Sequence, residues 1–177
     1  EVLFQHHLDQ AGFQRLHEMR KLGTVGTVTH SWVEQHILRA LKDGGVGRGN
    51  QDADLPINEQ AANAVTSYLK WESKFHPEYL FTERKVYSLE HHVAGTVDIG
   101  ARISGKLYIV DIKTSNSLSI AHKLQLAIYL HMINEEMGKT EEFYTHRGIV
   151  KCHKGSTRQA TWYDFNERAG ESKGWKS

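Results

Sequence analysis

The chain is expected to fold as an α/β protein, a mixed central β-sheet flanked by α-helices. Three observations predict this. The stretch at residues 95–113, GTVDIGARISGKLYIVDIK, alternates in two runs about a Ser104-Gly105 turn, the pattern of a β-hairpin. Segments with the 3.6-residue apolar period stand before and after it. Two further alternating runs close the chain. The order helix, helix, helix, strand, hairpin, helix, strand, strand calls for a mixed sheet with helices packed on it.

Taken in order, the opening EVLFQ resembles a 3C-type protease recognition site used in expression work. Residues 1–7 are therefore expected to be a tag remnant, and residues 8–177 a single domain, long enough to bury a core without staples. Residues 8–22 carry a weak helical pattern (Phe13, Leu16, Met19), ended by Gly23. In GTVGTVTHSWVEQHILRAL the glycines and threonines read as a turn and N-cap, after which Val33, Ile37, Leu38 and Leu41 form a helical stripe. His30 and Glu34, four apart, adjoin that stripe on one face.

Residues 43–55 are a Gly/Asp/Asn-rich loop closed by Pro56. Residues 57–75 read as a third helix with Ala61, Ala64, Val65, Tyr68, Leu69, Glu72 and Phe75 in period, stopped by Pro77. Residues 79–89 read as an aromatic and β-branched strand. Glu83 is an acid within that run, which a solvated edge or a functional position explains equally.

In the hairpin a two-residue turn fixes the register and sets Asp98 directly opposite Asp111. One face carries Val97, Ile99, Ala101 and Ile103 against Tyr108, Val110 and Ile112. The other carries Thr96, Asp98 and Gly100 against Ile109, Asp111 and Lys113. Opposed residues have Cβ atoms roughly 4.5–5.5 Å apart, and like charges so placed repel. A cation between them relieves this: either Lys113, in a plain surface hairpin, or Mg²⁺ or Mn²⁺.

After the hairpin, residues 114–117 (Thr114, Ser115, Asn116, Ser117) offer hydroxyls and N–H groups to a helix start or a phosphate. A helix over residues 119–137 places Leu124, Ala127, Ile128 and Met132 inward, with Gln125 and Tyr129 beside them, and Gly138 ends it. Residues 147–153 and 159–165 alternate as two strands about a Lys154-Gly155-Ser156 turn.

Composition is ordinary for a globular protein, 39% hydrophobic and 24% charged, and a net charge of +1 creates no global field for a polyanion. From His146 onward, however, seven Lys/Arg face three acids, a locally basic tail suited to phosphates. The single Cys152 excludes an internal disulfide and a four-cysteine metal or cluster site. No apolar run approaches a membrane span or a signal peptide, so an intracellular protein without a membrane partner is expected.

Together His30-x-x-x-Glu34, Gly95-Thr-Val-Asp98, Asp111-Ile-Lys113 and Gln125-x-x-x-Tyr129 resemble the motifs of the PD-(D/E)xK nuclease superfamily, and most closely its RecB-type branch. That branch includes mitochondrial genome maintenance exonucleases and many phage exonucleases. The resemblance spans roughly residues 26–150 and implies a restriction-endonuclease-like core. It implies that Asp98, Asp111, the Ile112 carbonyl and His30 bind a divalent metal, and that Lys113 holds or polarises the attacking water. Gln125 and Tyr129 would brace the site and touch the nucleic-acid backbone, with Thr114 and Ser115 nearby. Glu34 would orient, and Glu83 falls where some members have another acid. Val97 stands where the superfamily's proline would be and Asp111 where its glutamate is usual. The lone cysteine separates the chain from iron–sulfur members.

The implied activity is a hydrolase: a Mg²⁺- or Mn²⁺-dependent deoxyribonuclease, an exonuclease on single-stranded or frayed DNA, with roles in DNA repair or recombination. A neutral imidazole ligand shifts preference toward Mn²⁺. The alternatives are a structure-specific endonuclease and a non-catalytic nucleic-acid-binding domain that keeps the fold. No base-reading helix or zinc finger is visible. Trp32, Trp162 and Tyr87 are either base-stacking or core aromatics.

Overall fold

The structure, a computed structural model, describes residues 24–49, 54–138 and 144–166. The expected tag remnant and the helix at residues 8–22 lie outside the described residues. Eight elements follow in chain order: α1 (Val25–Lys42), α2 (Glu59–Phe75), β1 (Glu78–Ser88), β2 (Val93–Ile103), β3 (Lys106–Lys113), α3 (Ile120–Met137), β4 (His146–Lys151) and β5 (Thr161–Asp164). The strands form one sheet in the order β1-β2-β3-β4-β5, parallel only between β3 and β4. A parallel pair needs a crossover, which α3 supplies. The fold is the expected α/β arrangement, a mixed sheet flanked by three helices.

Local chemistry sets the helix ends. The Thr24 hydroxyl accepts the Thr27 N–H at α1, and the Asn58 side chain accepts the Ala61 N–H at α2. His76 turns left-handed (φ 44°) to end α2 just before Pro77. The last two strands are shorter than the alternation suggests, stopping at Lys151 and starting at Thr161.

Each sheet face has its own core. One packs α1 and α2 (Val33, Ile37, Val65, Tyr68, Trp71) on Ile99, Ala101, Ile103, Tyr108, Val110 and Ile112. The other packs Leu126, Met132 and Ile133 of α3 on Val86, Leu107, Ile109 and Ile149. Three readings are corrected here. Val97 packs with the α3-side core and not with Ile99. Leu38 on α1 is exposed, the buried stripe running instead through Val28, Trp32, Val33 and Ile37. On α3, Leu124 and Ile128 are 58% and 48% exposed, in line with Ile120, while Leu126 and Ile133 turn inward. Apolar and polar residues are spread around that helix, so its period alone does not choose a face.

Candidate functional site

The hairpin has the expected register: Ile99 pairs with Val110, Gly100 with Ile109 and Ala101 with Tyr108. The ladder ends at Ile99, one step short of Asp98 and Asp111. Beyond it the Asp98 carboxylate replaces a backbone carbonyl, its Oδ2 accepting the Ile112 N–H at 2.8 Å. On the other side of β2, Thr82 pairs with Ile99 and Arg84 with Val97, so Glu83 stands opposite Asp98. Glu83 has a φ of 47°, a left-handed conformation that costs a non-glycine residue about 1–3 kcal/mol and collects at functional sites. The Thr82 hydroxyl braces this step by donating to the Asp98 carbonyl at 2.9 Å. The sheet's alternation breaks here, which accounts for Val97 leaving the face of Ile99.

From α1, His30 reaches the same point. Its Nε2 lies 2.9 Å from the Ile112 carbonyl, which can only accept, so Nε2 carries the proton. Its Nδ1 faces Asp98 Oδ2 at 3.5 Å. One ligand atom each from His30, Glu83 and Asp98 lie within 4.8 Å of one another. An imidazole whose far N–H is fixed on a backbone carbonyl is the usual posture of a metal-binding histidine. The Ile112 carbonyl itself is the acceptor of that bond.

Asp111 stands beside this trio and is 5% exposed. The Lys113 ammonium pairs with its Oδ2 at 2.7 Å. Burial first, then the charge of Asp98, pushes the Asp111 carboxyl up to about 6, against the pull of Lys113 and His30. Burial, Asp98, Glu34 and Asp111 push Glu83 up to about 7. Burial also raises Glu34. Four carboxylates thus converge on one end of the sheet with one ammonium among them, an arrangement that lacks positive charge.

The remaining predicted residues each have a partner of their own. Gln125 Nε2 donates to the Tyr129 hydroxyl at 2.8 Å. The Tyr129 ring lies over Gly95, where an added Cβ would come 2.3 Å from Cε1; the glycine that opens Gly95-Thr-Val-Asp98 is there for this ring. Thr114 meets the start of α1, its hydroxyl 3.3 Å from a Cβ built on Gly26. Ser115 is turned inward on its own loop, donating to the Ser117 carbonyl at 2.8 Å.

Trp32 is buried and donates to the Asp54 carbonyl, Trp162 packs on Trp71 and Phe75, and Tyr87 is exposed. Sequence reasoning underweighted Glu83, whose signal was an acid facing Asp98 across the strand pair. It missed His122, whose pKa is lowered by burial and by Lys113.

No family model matches the chain, and no curated protein is significantly similar to it. Functional inference therefore rests on the residues themselves. Their donor set fits a hard divalent cation: carboxylate oxygens and one imidazole nitrogen.

Proposed function

We propose that the chain is a divalent-metal-dependent DNA nuclease of the PD-(D/E)xK kind, acting on single-stranded or frayed ends. The observation that carries this reading is the meeting of His30, Glu83 and Asp98 within 4.8 Å, with Asp111 and Lys113 alongside. His30, Glu83 and Asp98 would hold Mg²⁺ or Mn²⁺, with Asp111 sharing it from alongside. The bound ion supplies Lewis acidity at the phosphoryl oxygen and lowers the pKa of the attacking water.

The chain's own groups do the rest. The Ile112 carbonyl and N–H fix the His30 ring and the Asp98 carboxylate, so neither must reorganise when substrate arrives. Lys113 Nζ, held beside Asp111, would donate to the attacking oxygen or to a phosphoryl oxygen as negative charge grows on it. The attacking water would give up a proton to solvent as its oxygen bonds to phosphorus; the P–O bond opposite breaks, and the leaving oxygen takes a proton from solvent. Gln125 and Tyr129 hold the helix edge that faces the substrate backbone.

The test is degradation of end-labelled single-stranded DNA with Mg²⁺ or Mn²⁺, by wild type and by Asp111→Ala. Metal-dependent loss of label, faster with Mn²⁺ and absent in the variant, is expected. Activity that survives excess EDTA, or equal inertness of both proteins, overturns the reading. Circular single-stranded DNA should remain whole; its cleavage would assign an endonuclease.

A further inference from the structure

The parallel strands β3 and β4 end at the same edge of the sheet, where α/β proteins commonly place ligands. Next to the acidic site that edge holds a second feature of opposite charge, a cleft of about 330 Å³. Its walls are residues 114–116 after β3 and the segment joining β4 to β5, which contributes Lys151, His153, Lys154 and Arg158. Among the described residues no carboxylate lines it.

The cations are held in place. Lys151 Nζ donates to the Asn116 carbonyl at 2.5 Å, tying the two walls together. Arg158 donates to His153 Nδ1 at 3.1 Å. A guanidinium can only donate, so the proton of His153 sits on Nε2, which donates to the Thr161 hydroxyl at 3.0 Å. Burial, then Arg158 and Lys151, lower the His153 pKa and keep the ring neutral as the support of Arg158. The Lys154 carbonyl accepts from Asn63 of α2 at 3.2 Å, anchoring the loop beneath its side chain. On the cleft floor, burial pushes the Cys152 thiol up, so it is no nucleophile. The cleft is built to bind an anion, not to react with it.

The two features are continuous. Lys113 and Lys151 are partners in the parallel register, and Cys152 N–H donates to the Lys113 carbonyl at 2.8 Å. The cleft therefore begins at Thr114, the residue after the lysine of the acidic site. Hydroxyls, an amide and three cations without a counter-charge are the donor set that nucleic-acid phosphates select.

We propose that this cleft is a backbone-phosphate subsite for the strand cut at the neighbouring acidic centre. It rests on the nuclease reading and deepens it: a strand spans both features, its scissile phosphate at the carboxylates and a neighbouring phosphate between Lys151, Lys154 and Arg158.

The test is binding of a fluorescent single-stranded oligonucleotide to the full chain in EDTA, followed by anisotropy across a salt series. The doubly substituted Lys154→Gln/Arg158→Gln protein is compared with a charge-matched Arg39→Gln/Lys42→Gln control at the end of α1. Circular dichroism checks that both stay folded. The cleft variant should bind about tenfold more weakly, and its salt slope should fall by about 0.7 per lost contact, while the control stays near wild type. Equal losses in both variants would mean net charge alone acts and would overturn the proposal.

A parallel NMR titration with inorganic phosphate follows the Ser115 and Gly155 amides. If phosphate moves them while oligonucleotide binding ignores the substitutions, the cleft takes a free oxyanion and the nucleic-acid assignment falls. The two readings fail separately. A wild type that never cleaves DNA, but binds it through the cleft, loses the nuclease reading and keeps the subsite. Metal-dependent cleavage with binding indifferent to the cleft does the reverse.

Discussion

Helix α1 carries two histidines six residues apart, and each meets an acid. His36 Nε2 lies 2.9 and 3.0 Å from the two oxygens of Glu72, which is fully buried. Glu72 also accepts the Gly49 N–H at 2.6 Å and the Tyr79 hydroxyl, which is itself bonded to the Tyr68 hydroxyl at 2.6 Å. Every donor around that carboxylate is spoken for, and His36 is further pinned by stacking on Trp32. His30 faces the contrary situation. Its Nδ1 lies 3.5 Å from Asp98 Oδ2, Glu83 and Glu34 crowd in, and Asp111 beside them is paired with Lys113. The same residue types build a satisfied brace in one place and an unsatisfied site in the other. A buried acid is thus no sign of function in itself; the shortage of donors is.

The sharpest way to break this comparison is to truncate one acid from each cluster. Asp98→Ala should lower metal-dependent cleavage by at least about 10³-fold, roughly 4 kcal/mol of barrier, and cost little stability, because relief of like-charge repulsion offsets the lost Ile112 N–H bond. Glu72→Ala should do the opposite. It leaves His36 Nε2 and the Gly49 N–H unpartnered and the Tyr79 hydroxyl with Tyr68 alone, which costs about 3–5 kcal/mol. Activity per folded molecule should persist. Melting curves and single-turnover assays on both variants check the contrast, and a stable Glu72→Ala protein would remove Glu72 from its bracing role.

Metal addition should sharpen the difference. Mn²⁺ at about 100 times its dissociation constant should stabilise the fold by roughly 2.7 kcal/mol, visible as a rise in Tm that EDTA reverses. Asp98→Asn should abolish that rise, whereas His36→Gln, in the satisfied cluster, should keep it. A rise that survives Asp98→Asn would place the ion elsewhere.

Much of this was legible in the sequence. A two-residue turn leaves one register, so the approach of Asp98 to Asp111 could be read from Ser104-Gly105, and the pairing of Ile99 with Val110 agrees. The layering could be read as well, because Ile99, Ala101, Val110 and Ile112 alternate cleanly against α1 and α2. What period-two reasoning could not show is where the alternation breaks. The left-handed Glu83 and the switch of Asp98 from ladder to side-chain bonding move Val97 to the other face. They also turn Glu83 from an edge acid into a member of the site. Glu72 was legible as an inward position but not as a brace, since its donors come from α1, β1 and a glycine loop distant in sequence.

The smallest expected effect is also the most diagnostic of charge shortage. In the folded chain Glu83 and Asp111 are pushed up to about 7 and about 6, from ordinary values of 4.5 and 3.8. Between those limits the metal-free fold holds protons that the unfolded chain has already released. Stability is therefore greatest below the window and falls as pH rises through it. Tm measured in EDTA should decline from pH 5 to pH 8. Glu83→Gln, which removes one like charge at the cost of no hydrogen bond, should flatten that decline and gain up to about 1 kcal/mol at pH 8, roughly 2–4 °C in Tm. No such gain is expected from Glu72→Gln, whose carboxylate is matched by donors on every side. If metal-free stability instead rose between pH 5 and pH 8, the acids at the end of β2 would be well solvated, and the contrast between the two clusters would collapse.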